Sequence, residues 1–80
     1  MTAKQAIVAR VKELLEERHI TTNTAANEAG VSPSTLYSIL GKKSRNPGVV
    51  TIQILCDGLG ISLREFFDSP LFENLEQEIK

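Results

Sequence analysis

Residues 21–41, TTNTAANEAGVSPSTLYSILG, decide how this chain is read. Thr21 is an N-cap residue whose hydroxyl accepts a backbone N–H of the first helical turn, opening a short helix that runs to Ala29. Gly30 stops that helix, because glycine takes the left-handed conformation without a steric penalty. Ser32 and Pro33 then open a second helix, expected over 33–41. Serine caps it, and proline is tolerated at the first helical position because its missing N–H would be unpaired there anyway. Ala25, Ala26 and Ala29 are small enough to let the two helices cross closely, and Val31 plugs the corner between them. Leu36 and Ile39 face back towards the first helix, and with Leu40 they form the buried stripe. Ser34, Tyr37, Ser38 and Gly41 fall at i, i+3, i+4 and i+7, one outward stripe without a carboxylate.

Working outward, the flanking segments are helical too. Thr2 and Gln5 form a capping-box pattern, after which Ile7, Val11, Leu14 and Leu15 make one apolar stripe, with Arg18 at its end. Lys12, Glu13, Glu16 and Glu17 sit off the stripe, and His19 is expected in the last turn of a helix over 3–18. The run KKSRNPG at 42–48 is a loop, since it holds a proline, a glycine and two polar residues beside its bases. A fourth helix is expected from Val49 to Leu59, with Ile52, Leu55 and Leu59 on one side and Gly60 as its stop. Ser62 and Glu65 form a second capping box, for a fifth helix ending at Phe67. Asp68, Ser69 and Pro70 break it. Leu71, Phe72, Leu75 and Ile79 then predict a short amphipathic tail helix with Glu73, Glu76 and Glu78 outward. No repeat, low-complexity tract or strand pattern is present. The expected fold is all-α: a compact five-helix domain at 1–67 and a tail helix at 68–80.

The charge is unevenly distributed. Over the 80 residues the net charge is −1. Residues 1–28 hold four bases and four acids, whereas residues 29–56 hold Lys42, Lys43 and Arg45 and no acid at all. Residues 57–80 hold two bases against six acids. Phosphate contact depends on the local field more than on the total, so the middle third is suited to an anionic partner. Cys56 is the one cysteine, which excludes an internal disulfide framework. It is expected to be a buried thiol. His19 has no partner at ligand spacing, and no grouping of nucleophile, base and acid stands out, so neither a metal site nor catalysis is expected. No signal peptide or membrane-length apolar run is evident, which makes a cytoplasmic location the expectation.

With these residues in view, the chain resembles the phage-repressor and Cro-like helix-turn-helix family, often called the XRE family. The resemblance covers about residues 5–67 and is most specific in AGVSPSTLYSIL, in KKSRNP and in LGISLREFF. It implies that the helix at 33–41 enters the major groove of double-stranded DNA. Pro33, Ser34, Tyr37 and Ser38 would then read bases. Thr22 would touch phosphate at the start of the motif, with Lys42, Lys43, Ser44, Arg45 and Asn46 gripping the backbone after the reading helix. Two departures from the family pattern stand out. The family often has glutamine where Thr22 stands, and the reading helix has no Arg, Gln or Asn for bidentate base contacts. More of the recognition then falls to loop contacts and DNA shape.

The function implied is a sequence-specific transcriptional regulator, a repressor, with no cofactor and no ligand-sensing domain. Three clustered bases neutralise few phosphates, so a homodimer on half-sites one helical turn apart is expected. Leu71, Phe72, Leu75 and Ile79 either pair two subunits or pack on the domain's own core. The alternative is a protein-interaction module of the same fold, antitoxin-like or an anti-regulator, with little DNA binding. The negative total charge and the absence of bidentate side chains support that alternative.

Overall fold

The computed structural model describes residues 1–41 and 48–76. Its elements are α1 (Ala3–Glu17), α2 (Thr22–Ala29), α3 (Pro33–Leu40), α4 (Val49–Leu59), α5 (Leu63–Phe67) and a 3₁₀ turn at Pro70–Phe72. There is no strand among the described residues. The Thr2–Gln5 capping box forms as expected: Gln5 N donates to Thr2 Oγ1 at 3.2 Å, and Thr2 N donates to Gln5 Oε1 at 2.8 Å. Gly48 precedes α4 without a side-chain cap.

Three of the corners share one construction. In each, a left-handed residue ends a helix, a β-branched residue plugs the core, and a hydroxyl residue caps the next helix. The left-handed residues are His19, Gly30 and Gly60, with φ of 54°, 76° and 73°. The residue after each donates its N–H back to a carbonyl of the helix just ended, which satisfies an otherwise orphaned acceptor. These bonds are Ile20 to Leu15 at 3.1 Å, Val31 to Ala26 at 3.0 Å and Ile61 to Cys56 at 3.0 Å. Ile20, Val31 and Ile61 all pack against the core. Thr21, Ser32 and Ser62 then accept from Thr24 N, Thr35 N and Glu65 N. His19 is therefore placed differently from expectation: it is the left-handed stop of α1, one residue beyond the Arg18 cap.

The core is apolar throughout, with no buried polar residue among those described. Phe66, Leu36, Val11 and Cys56 are its largest fully enclosed side chains, contributed by α5, α3, α1 and α4. Ala6 of α1 is fully buried, while Ile7 and the capping Arg18, both of the expected stripe, are only half-buried. Cys56 is free and buried, as the sequence suggested. Burial pushes its thiol above the ordinary value of 9.0, the Asp57 carboxylate pushes it further the same way, and Arg10 opposes both. In the unfolded chain the thiol ionises near 9.0, whereas in the folded chain it holds its proton to higher pH. The folded state thus binds more protons in that window, and stability falls as pH rises from about 9 through the raised value. Urea midpoints measured from pH 8 upward should decline, with a smaller decline in Cys56→Ala.

Arg10 joins α1 to the end of α5. Its Nε donates to Phe66 O at 2.7 Å and its Nη2 to Glu65 O at 2.8 Å, while Nη1 pairs with Glu13. The guanidinium fork thus meets two carbonyls at the negative end of a helix, a geometry that lysine's single ammonium does not reproduce. Hydrogen bonds to a charged group contribute about 1.5–3 kcal/mol, and solvent brings the total here to the lower end of that range, since the Phe66 bond is part-buried and the Glu65 bond exposed. Both Arg10→Met and Arg10→Lys should lower stability by about that amount in urea titrations, and a full rescue by lysine would contradict the fork argument.

The tail departs from the expected amphipathic helix. Among the described residues it makes only the turn at Pro70–Phe72, capped by Ser69, whose Oγ accepts from Leu71 N at 3.2 Å. Asn74 follows with φ of 57°, a left-handed residue that stops any continuation. Glu76 N then donates to Met1 O at 3.0 Å, and the Glu76 carboxylate lies 3.4 Å from the Met1 amine. Phe72 sits 4.9 Å from Phe67 and 6.0 Å from Phe66 between ring centres, so the turn seals the core beside α1.

Candidate nucleic-acid interface

The local sequence fixes how α3 is presented. Ser32 Oγ accepts from Thr35 N at 3.2 Å and lies 2.9 Å from Thr35 Oγ1, with Pro33 in the first turn. Leu36 is buried, and Ile39 and Leu40 pack half-buried against the core. That fixes the opposite side as the exposed one. Ser34, Tyr37 and Ser38 lie there together, with Tyr37 55% exposed, and Pro33 at its start is half-buried. Thr35, which the sequence reading did not single out, is also exposed, its hydroxyl engaged with Ser32. The resulting face offers hydroxyl groups and one aromatic ring and carries no charge. Such a surface can approach a polyanion closely and offer donors and acceptors to base edges.

Gly41 does not continue this stripe. It has left the helix, with φ −75° and ψ 151°, and is half-buried. At the other end of the motif Thr22 opens α2, half-buried at the positive end of the helix dipole. The alanines are divided between neighbours. Ala25 and Ala26 are fully buried, but α2 packs chiefly against α4, and Ala29 lies against Gly58. A Cβ added at Gly58 would stand 2.6 Å from Ala29 Cα and 2.7 Å from Ala29 N. Gly58 is thus the residue that allows the motif's first helix to dock, and the sequence reading missed it.

Lys42, Lys43, Ser44, Arg45 and Asn46 lie outside the described residues, as does Ile79; the first of them follows directly on Gly41 in the chain. The structure adds a base from elsewhere. Lys4 of α1 donates from Nζ to Gly41 O at 3.5 Å, placing an ammonium at the C-terminal end of α3. Its signal in the sequence was the stripe Lys4, Val8, Lys12, free of acids at i, i+4 and i+8. Of the residues assigned to the tail, Leu71, Phe72 and Leu75 are half-buried. No group of His, Cys, Asp and Glu among the described residues is arranged to hold a metal ion, and no described helix is long and apolar enough to cross a membrane.

The comparisons bear on the same segment. The profile of the Helix-turn-helix family matches residues 11–66, from one fully buried core residue, Val11, to another, Phe66. Among solved structures, that of the prophage Lp1 protein 11 is similar. It is 33% identical, the match covers 88% of this chain and 92% of that one, and the TM-score is 0.78. No curated protein matches the chain.

Proposed function

The chain belongs to the helix-turn-helix family of DNA-binding regulators, and from that premise we propose that it is a sequence-specific repressor reading the major groove with α3. One observation carries the reading. Leu36, Ile39 and Leu40 turn inward, leaving an uncharged, hydroxyl-bearing face of Ser34, Tyr37 and Ser38 outward. In this reading Ser34, Tyr37, Ser38 and the start of the helix at Pro33 meet base edges. Thr22 and the segment Lys42, Lys43, Ser44, Arg45 and Asn46 meet phosphates. Residues 1–67 form the DNA-binding domain and residues 68–80 the tail.

Two copies of the chain bind an inverted repeat, which doubles the small number of bases available to each. We assign pairing to the tail through Leu71, Phe72, Leu75 and Ile79. Phe72 also closes the chain's own core, so Leu71 and Leu75 are the residues to alter first. Selecting bound sequences from a random duplex pool tests the whole reading. A palindromic consensus is the expected result, and a pool left unenriched after several rounds would refute sequence-specific binding. Tyr37→Ala and Ser34→Ala should each change the preferred base at one position of each half-site. A good direct contact discriminates by about 1–3 kcal/mol per base pair, whereas an equal loss on all sequences would show that neither residue reads bases.

A further inference from the structure

We infer that α1 carries an additional phosphate-binding site, formed by Lys4 and Lys12 beside the C-terminal end of α3; this rests on the DNA-binding reading above. Lys4, Val8 and Lys12 fall at i, i+4 and i+8 and so share one face of α1. With Thr2 and Gln5 that face forms one wall of a shallow open groove whose other wall is Leu40 and Gly41. The groove therefore lies where the reading helix ends. Lys4 Nζ lies 3.5 Å from Gly41 O, at the negative end of the α3 dipole, where an ammonium is favoured. α1 carries no acid before Glu13; Glu13 is engaged by Arg10, and Glu16 follows one turn beyond Lys12 on the same side. The next residues of the chain after Gly41 are Lys42 and Lys43.

A helix seated in a major groove is flanked by phosphates at its end. The strand that passes the α3 terminus meets the α1 face as well. Eight residues of helix separate Lys4 and Lys12, about 12 Å at 1.5 Å per residue. That span is longer than the step from one phosphate to the next along a strand, which advances only about 3.4 Å along the duplex axis. The two ammonium groups thus address separate phosphates, and lysine contacts them as point charges without reading sequence.

The test is the salt dependence of binding to a short mixed-sequence duplex, measured for the full chain. Lys4→Gln/Lys12→Gln should reduce the slope of log affinity against log salt by about 1.8 per subunit, since each lost phosphate contact removes about 0.9. At 0.15 M salt this corresponds to roughly 30-fold weaker binding per subunit. Lys4→Arg/Lys12→Arg should retain the wild-type slope. If the Gln variant keeps the wild-type slope while Lys42→Ala/Lys43→Ala/Arg45→Ala flattens it, the α1 site is overturned and the DNA reading stands. If the Gln variant binds more weakly at an unchanged slope and melts earlier, Lys4 only caps α3, and the inference is again overturned. A wild-type chain with no salt-sensitive binding would remove both readings together.

Discussion

Replacing Gly58 with alanine should destabilise the domain by about 2–3 kcal/mol, and replacing it with valine should leave it largely unfolded at room temperature. The expectation follows from two opposed effects whose sizes differ. Within a helix, alanine is favoured over glycine by about 1 kcal/mol, so propensity alone predicts a more stable protein. Packing predicts the reverse. A Cβ at this position would stand 2.6 Å from Ala29 Cα, 2.7 Å from Ala29 N and 2.8 Å from Ala29 Cβ, closer than real carbon contacts allow. Two of those three atoms are backbone, so no rotamer change relieves the clash, and α2 has to move off α4. Overpacking a well-filled core costs about 1–3 kcal/mol and occasionally more, which here has to exceed the propensity gain as well. An 80-residue domain has about 4–12 kcal/mol of stability in all, so valine's extra methyl groups remove much of it. Thermal melting decides the matter: the alanine variant should melt roughly 10–20 °C lower. A melting point above wild type would mean that α2 and α4 are less tightly apposed than the structure has them. Ala29→Gly should not rescue Gly58→Ala, because the two closest atoms remain.

The contrast between Gly58 and the other corner residues shows what was legible in the sequence. Helix ends were readable because their chemistry is local. Thr2 with Gln5, Thr21 with Thr24, Ser32 with Thr35 and Ser62 with Glu65 all act across three residues, and Gly30 and Gly60 act at their own φ. The inward and outward faces of α3 were readable for the same reason, since periodicity alone separates Leu36 from Tyr37. Features that join distant segments were not. Gly58 is required by Ala29, Lys4 is placed by Gly41 across 37 residues, and Arg10 is fixed by Phe66 across 56. Each is an ordinary residue in its own helix and becomes special only once the helices are docked. The tail was misjudged for a third reason. Leu71, Phe72 and Leu75 have helical spacing, but Asn74 takes a left-handed conformation and the chain closes onto Met1 instead. Apolar spacing states which residues seek cover. It does not state that a helix provides it.

Removing the three central bases together, Lys42→Ala/Lys43→Ala/Arg45→Ala, is expected to have the largest effect on binding, and its size also reports how many subunits bind. These are all the charged residues between Glu28 and Asp57, and in the chain they begin directly after Gly41. If each neutralises one phosphate, each contributes about 0.9 to the slope of log affinity against log salt. The triple variant then loses about 2.7 from that slope if one subunit binds, and about 5.4 if two bind as a pair. At 0.15 M salt the corresponding losses of affinity are roughly 100-fold and roughly 10⁴-fold. Because phosphates carry no sequence information, selected and mixed duplexes should lose affinity alike, unlike the result expected for Ser34→Ala or Tyr37→Ala. An electrophoretic or fluorescence titration across a salt series supplies both quantities at once. A slope that does not change would assign these bases to solvent. A wild-type chain without salt-sensitive binding would instead favour the protein-interaction module, for which the net charge of −1 and the absence of Arg, Gln and Asn from α3 would then be the fitting features. Between one and two subunits the slope decides without any structure of the complex, since doubling the chain doubles the phosphates released from their counterions.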